Sequence, residues 1–575
     1  MYIETIPNRK SPPAILLREG KRQGKKIVKT TLLNLTHWPP EYVETMRRMF
    51  AGEKLVAFKD VFAPIRSLPH GHVEAVLAVM RRLGIESLLA AEPSRLRSLA
   101  AAMIAWQILH PDSKLSAARD WKDSTLPRAL GVEGADVDEL YEALDWLLER
   151  QPRIEEKLAR RHLAEGGLVL YDVSSSYYEG ETCPLARFGY SRDGKRGLPI
   201  IVYGLMTDSE GRPVAAEVFP GGTGDASTVP AQVEKLRARF GLRRAVLVGD
   251  RGMLTQTRIK ELREFQQLGW ISALRCERVR SLAKAGAFQM SLFDKQNLAE
   301  IQSPDFPGER LMVCFNPLQA ARRRASREAL LAATEADLER IAAEAARRTQ
   351  TPLSDAEIGL KAGGVLKKHK MRKHFRLTIA DGAFAFERDP ASIEREAALD
   401  GVYIVRTSEP KEAMSAEDAV RNYKRLAEVE TAFRTLKSMD VLIRPIFHRL
   451  ENRVRAHIFL CTLAYYVEWH MRRALAPLLF ADEEREENRP RREPVAPAPP
   501  SPPSASARRK KATRKTADGQ ELHTFGSLLD HLATRVVNIY TTPSAPGAPP
   551  VEQITQPTPL QAQALQLLQT GVPMF

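Results

Sequence analysis

Cysteine is scarce in this chain: four occur in 575 residues, and Cys183, Cys276, Cys314 and Cys461 lie far apart with no CxxC pair. That spacing excludes a disulfide framework or a zinc ribbon, and the four thiols are expected as buried apolar groups. Long apolar runs are missing too, since none approaches the ~18 to 20 residues that a membrane span requires. The opening Met1-Tyr2-Ile3-Glu4 has neither a basic nor an apolar stretch of the secretory kind, so the expected compartment is the cytoplasm. No HExxH pair, no GxxxxGKS phosphate loop and no His/Cys cluster with metal-ligand spacing occurs. The histidines therefore receive no catalytic role.

Positive charge is what the chain has in excess: 86 Lys and Arg stand against 71 Asp and Glu, a formal net charge of +15. Such an excess points to a polyanionic partner, nucleic acid first, although a basic linker alone could supply much of it. The motifs must decide.

Pattern divides the chain. Residues 1–65 alternate in strand fashion, with Ala14-Ile15-Leu16-Leu17 and Lys26-Ile27-Val28-Lys29 as the arms of a β-hairpin. Residues 66–165 carry three- and four-residue apolar spacings, such as Val73, Val76, Leu77 and Met80, and are expected as an α-helical domain. Residues 166–275 alternate short apolar runs with helical stretches, the α/β pattern, with strands expected at 168–173, 198–206, 214–219, 245–248 and 271–274. Residues 276–399 read as an insertion, a helical hairpin at about 320–374 followed by a β-hairpin around Ala380-Asp381-Gly382. Two long helices, 416–439 and 453–475, complete the core in 400–475. Residues 476–520, rich in Pro, Ala and basic side chains, are expected as a disordered linker, and 521–575 as a helical tail.

Three carboxylates stand out. Asp172 follows the apolar run Leu168-Val169-Leu170-Tyr171, and Asp250 follows Ala245-Val246-Leu247-Val248. Taken singly, each is expected as a turn or cap residue, Asp250 for a helix over about 255–268. Taken together, parallel neighbouring strands would bring both to one sheet edge, where α/β sheets place their sites. Two adjacent carboxylates repel, and a divalent cation is their natural partner. The third is Glu430. At ~100° per residue, Tyr423, Leu426, Glu430, Phe433 and Lys437 share one helix face, which predicts that Glu430 lies with the core-facing stripe and Glu428 on the solvated side.

Asp172, Asp250 and the helix with Tyr423, Glu430 and Lys437 resemble the DDE transposases of bacterial insertion sequences, in the insertion-sequence-4-like superfamily. The third motif reads Tyr, two residues, Arg, three residues, Glu, six residues, Lys; Tyr423, Glu430 and Lys437 hold that spacing, while Leu426 stands at the Arg position with Arg425 beside it. The surroundings, Tyr171-Asp172-Val173-Ser174-Ser175, Phe433-Arg434-Thr435-Leu436-Lys437-Ser438 and Arg444-Pro445-Ile446, are similar to a long-transposase subgroup. The interval from Asp250 to Glu430 is more than twice that from Asp172 to Asp250, which would hold the insertion. The resemblance implies an α/β, ribonuclease-H-like core whose Asp172, Asp250 and Glu430 are catalytic and hold two Mg²⁺ ions, with Mn²⁺ as a substitute. It implies double-stranded DNA as partner, both the terminal inverted repeats and the target, with helical residues 66–165 as the candidate end-binding domain, and a homodimer in the synaptic complex. Tyr423, Lys437, Arg425 and Arg434 would contact the DNA backbone, joined by Arg192 and Lys195 from the glycine-rich segment 188–197, itself expected as a turn between strands. The implied setting is the bacterial cytoplasm, in association with the nucleoid. Two rivals stay open from sequence: an inactive repressor that binds the element's ends, and a metal-dependent nuclease that cuts without joining.

Overall fold

A computed structural model describes residues 1–9, 11–53, 61–195, 197–265, 267–293, 296–439, 441–489, 493–495, 504–543 and 547–575. The chain divides into two compact units, Met1–Leu68 with Val536–Gln556, and Pro69–Arg535 with Pro557–Phe575.

The smaller unit begins with β1 (Tyr2–Ile6), β2 (Ala14–Gln23) and β3 (Lys26–Asn34), an antiparallel sheet in the order β1-β2-β3. β2 and β3 turn back at Gly24-Lys25, where Gly24 has φ of 61°, a conformation that costs glycine little. The first strand was not expected. It is pinned by Glu4, whose carboxylate takes hydrogen bonds of 2.8 Å from both Arg18 and Lys29 across the sheet. A helix, Pro40–Phe50, and β4 (Ala63–Pro69) follow.

In the larger unit an all-helical layer comes first. Helix Arg95–Leu109 is buried continuously from Leu99 to Ile108, so its apolar residues run all round instead of in a stripe. Helix Val137–His162 starts in a capping box, with Asp136 and Glu139 each satisfying the other's backbone N–H. Helix Glu451–Ala474, buried on nearly every side, packs against both.

That layer covers one face of an eight-stranded sheet built from β5 (Leu168–Tyr177), β6 (Ile200–Thr207), β7 (Pro213–Pro220), β8 (Ala245–Val248), β9 (Leu268–Ala273), β10 (Leu298–Ile301), β11 (Arg310–Phe315) and β14 (Val402–Thr407). The order is β10-β11-β14-β9-β8-β5-β6-β7. β5, β6 and β7 form an antiparallel meander, while β8 runs parallel to β5 and β9 parallel to β8. Along β5, Val169, Tyr171 and Val173 enter the core under helices Asp225–Glu234 and Gln256–Glu264, whereas Leu170 faces the helical layer. Asp172 shares Leu170's side.

The region expected as a separate insertion is not confined to its own hairpins. β10 and β11 lengthen the main sheet beyond β14, each antiparallel to its neighbour. Helices Pro317–Arg347 and Asp355–His369 pack together with the hairpin of β12 (Phe375–Ala380) and β13 (Ala383–Arg388) around their own apolar cluster.

Two differences lie toward the C-terminus. Residues 490–492 and 496–503 of the expected disordered linker lie outside the described residues, but the flanking part is ordered. Ser504 caps helix Ala505–Thr513, and the buried Lys510 binds the carbonyls of Ala476 at 2.6 Å and Ala481 at 2.9 Å and the carboxylate of Glu483 at 2.5 Å. Composition suggested disorder because it does not see that a lysine can tie its helix to carbonyls 29 to 34 residues away. The expected all-helical tail contains helices Phe525–Ala533 and Pro559–Gly571, and between them β15 (Val536–Thr541) and β16 (Val551–Ile554). These strands join β4 in the smaller unit, in the order β16-β15-β4. Cys276 is likewise exposed instead of buried, since it opens helix Cys276–Lys284, whose inward stripe is Val279 and Leu282.

Candidate active site

Three segments meet at the sheet edge. β5 pairs with β8 through Leu168↔Val246, Val169↔Leu247 and Leu170↔Val248, so Asp172 and Asp250 each stand two residues past the last pair. Asp172 is not at the end of its strand as expected. β5 continues to Tyr177 because β6 accompanies it that far, while β8 stops at Val248 and opens the edge beside Asp172. Asp250 does not cap the following helix. Its Oδ1 accepts 2.8 Å hydrogen bonds from the N–H groups of Gly252 and Met253, closing the turn at 250–254, and helix Gln256–Glu264 starts later with Thr255 at its cap.

The third acid arrives on a helix that is broken, not continuous. Helix Ala416–Lys424 ends at Arg425, helix Leu426–Arg434 begins there, and Thr435–Met439 forms a π turn. Within helix Leu426–Arg434 and the π turn the buried stripe is Leu426, Val429, Ala432, Phe433 and Leu436, centred on the Val429 side. Glu430 is therefore exposed and lies outside the core stripe. Glu428, expected to be solvated, is 13% exposed and forms a 2.8 Å ion pair with Arg489. The turn after β6 crosses over it: Gly211, at φ of 86°, leaves room where a Cβ would stand 2.9 Å from that of Glu428. Arg425 docks on the same turn, donating to the Ser209 carbonyl at 2.8 Å. Arg425 and Glu428 thus fasten the helix, and helix Leu426–Arg434 packs on β5.

Electrostatics register the convergence. The Asp172 carboxyl is pushed up to about 7, chiefly by burial and further by the charges of Asp250 and Glu430, against the pull of the Val173 N–H and Arg192. Tyr423 is pushed up to about 12, again by burial first, with Asp250, Glu430 and Asp172 adding. These four residues therefore share one locality. Among the described residues no three carboxylate, imidazole or thiol groups are close enough to enclose a metal ion. The donor chemistry still fits a hard dication: the three acids offer only oxygen, and their mutual repulsion is what a cation relieves.

The glycine-rich segment 188–197 is more than a turn. Arg192 forms an ion pair with Asp225, its N–H donates to Ser175 Oγ at 3.2 Å, and its charge reaches Asp172. Lys195 lies 3.7 Å from the Tyr177 ring centroid and 3.8 Å from Glu179. Lys437 is not turned toward solvent: its ammonium is 3.0 Å from Asp193 Oδ1, and Arg444 takes the other oxygen at 2.9 Å. Burial lowers the Lys437 pKa while Asp193 opposes that shift. Arg434 is exposed one turn beyond Glu430. Asp193, Asp225 and Arg444 are the neighbours that sequence did not assign to the site. The available signals were Asp193, a lone acid among the bases of 187–196, and Arg444 in the segment Arg444-Pro445-Ile446 that carries part of the resemblance.

No helix among the described residues is long and apolar enough to cross a membrane. Among curated proteins none matches the chain significantly. A solved piggyBac transposase synaptic complex with hairpin DNA, determined by cryo-EM, aligns at a TM-score of 0.33 and 10% identity over 69% of this chain and 71% of that one, too distant to carry an argument. Residues 181–467 match the family model described as transposase DDE domain; Asp250, Tyr423, Glu430 and Lys437 fall inside that span, and Asp172 lies just ahead of it. Over that span the chain is similar to the DDE domain of transposases.

Proposed function

We propose that this chain cuts DNA at the terminal inverted repeats of an insertion sequence and joins the freed 3′ ends to a target, with Asp172, Asp250 and Glu430 as the catalytic acids. The observation that carries the proposal is their convergence on one open sheet edge of a transposase DDE domain. The order β7-β6-β5-β8-β9, an antiparallel meander followed by two parallel strands, supports a ribonuclease-H-like core. The affiliation with the insertion-sequence-4-like, long-transposase subgroup rests on the Tyr423, Glu430 and Lys437 spacing.

Asp172, Asp250 and Glu430 would hold two Mg²⁺ ions, or Mn²⁺ in their place, and the metal would polarise the phosphodiester and stabilise the leaving oxygen. The chain's own side chains do the rest. Glu430 is exposed, so its carboxylate is reachable from the side on which a duplex must approach. Arg192, Lys437 and Arg444 provide positive charge next to the acids and hold the backbone phosphates by charge-assisted hydrogen bonds. Tyr423, with its phenol kept protonated by burial and three nearby acids, can donate to a phosphate oxygen. Arg425 acts through the helix that it anchors. A synaptic complex brings two element ends together, so two copies of the chain are expected in it.

The test is Mg²⁺-dependent cleavage of a labelled duplex carrying the DNA that flanks the gene, with wild type beside Asp250→Ala. Cleavage at the repeat boundary by wild type alone is the expected result. Binding by both proteins with no cut in either would favour the repressor. Pre-cut ends offered with a plasmid separate joining from cutting, since a nuclease yields no joined product.

A further inference from the structure

Lys437 and Arg444 converge on one carboxylate. The Asp193 side chain is 5% exposed, Lys437 11% and Arg444 23%, so the three charges sit mostly out of water. Arg444 also donates from Nε to the Lys437 carbonyl at 3.2 Å, which fixes its guanidinium against the π turn. Two tyrosines wall the group. Arg444 lies 5.4 Å from the Tyr177 ring centroid, and Lys437 Nζ lies 6.0 Å from that of Tyr203. With two cations on one anion, the cluster keeps one formal positive charge that its own residues do not cancel. Next in sequence, Arg192 reaches toward Asp172 and is held by Asp225, so adjacent residues of one loop connect the acids to the Lys437 cluster.

We infer that Asp193 is a positioning residue, holding Lys437 and Arg444 as a single cationic pair that receives a DNA backbone phosphate beside the three acids. The inference rests on the DNA-cleaving function proposed above. Its physical basis is that two cations brought together away from water repel, and only a shared carboxylate keeps both charged and in place. Burial, Arg444 and Arg192 all act to strip the proton from Lys437; Asp193 is the group that opposes them, and the remaining neighbour, Tyr203, carries no charge at neutral pH. The opposite role is also definable. If Asp193 merely filled the phosphate's place, DNA would have to displace it, and its removal would tighten binding.

The experiment uses the full chain and a labelled duplex of the element end, with binding measured from pH 6 to 10 without metal. Asp193→Asn should weaken binding about tenfold and move the alkaline limb of the binding profile down by about one unit or more. Asp193→Glu should recover most of the loss. In a Lys437→Gln, Arg444→Gln background Asp193→Asn should cause no further loss, because Asp193 acts through those two cations. Arg444→Gln carries the inference if Asp193→Asn does not fold: it should weaken binding but raise the alkaline limb, since it removes a charge that disfavours the Lys437 proton. Equal or tighter binding by Asp193→Asn, an unmoved limb, or a further loss on adding Asp193→Asn to the Lys437→Gln, Arg444→Gln background would overturn the inference. Parallel cleavage assays in Mg²⁺ keep the two readings apart. A wild type that shows the binding limb but never cuts counts against the catalytic proposal, whereas one that cuts while Asp193→Asn and Arg444→Gln bind normally counts against the positioning role.

Discussion

Two groups of acids in the larger unit are built on opposite terms. Glu155 is fully buried, and each of its carboxylate oxygens has two donors: Gln151 at 2.7 Å and the Ala216 N–H at 3.1 Å on one, Arg239 at 2.9 Å and Lys235 at 3.3 Å on the other. Asp172 has the Val173 N–H at 2.8 Å on Oδ1, and its acidic neighbours raise its pKa further. A saturated buried carboxylate stabilises a fold, because losing any partner strands a charge. A crowded set of acids at an open edge opposes folding, and its presence is explained by a ligand that folding alone does not supply.

The largest expected effect breaks the acid edge. Asp250→Asn and Glu430→Gln should each reduce Mg²⁺-dependent cleavage by ~10³-fold or more, measured as initial rates on the end duplex, with the thermal unfolding midpoint nearly unchanged. Asp172→Asn should also be inactive, yet more stable than wild type at pH 8 in metal-free buffer. The sign follows from its raised pKa: the ordinary carboxyl releases its proton near 3.8 and the folded one near 7, so stability falls as pH rises between those values. Asparagine escapes that loss, and its advantage should vanish by pH 4. A destabilised Asp172→Asn at pH 8 would erase the contrast between the two groups.

Glu155→Gln should do the reverse, costing about 3 to 5 kcal/mol by urea unfolding, because it leaves Lys235 and Arg239 short of a buried countercharge. Acid should expose a third kind of buried group. Burial, aided by neighbouring positive groups, pushes His448 and His470 each down to about 3, so both stay neutral in the folded chain. Their contribution is complete above pH 6.5 and is lost as pH falls toward 3, about 2 kcal/mol each at pH 5; replacing either by Gln should flatten the dependence of urea stability on pH in that window. The smallest effect sharpens the assignment of the third acid. Glu428→Gln should cost about 1 kcal/mol of stability through the lost Arg489 pair while leaving cleavage close to normal. Loss of cleavage in Glu428→Gln with normal rates in Glu430→Gln would transfer the role to Glu428.

Sequence made the strands of the acid edge legible where burial is two-sided. Ala245–Val248 is an unbroken apolar run and matches its expected bounds. β11 and β14 are equally apolar, but their membership in the main sheet depends on pairing across about 90 residues, which no local pattern encodes. The helix break at Arg425 was hidden for a related reason. Residues 416–439 favour helix throughout, and the interruption comes with a guanidinium that finds the Ser209 carbonyl more than 200 residues away in sequence. Inside helix Leu426–Arg434 the inward position belongs to Val429, and Glu430, one residue on, turns outward. The three acids were legible as residues, and their surroundings were not: Asp193, Asp225 and Arg444 gain a role only when the loop 188–197 folds onto the π turn.

By itself, then, the sequence determined the α/β character of residues 166–275, the apolar runs that precede Asp172 and Asp250, and the Tyr423, Glu430 and Lys437 spacing, because each is written in short-range periodicity or in residues a few turns apart. Tertiary structure alone decided that Glu428 is held by Arg489, that Lys437 is held by Asp193, and that strands from the insertion extend the main sheet. Those outcomes depend on which distant groups meet, and on how burial and neighbouring charge act once they have met.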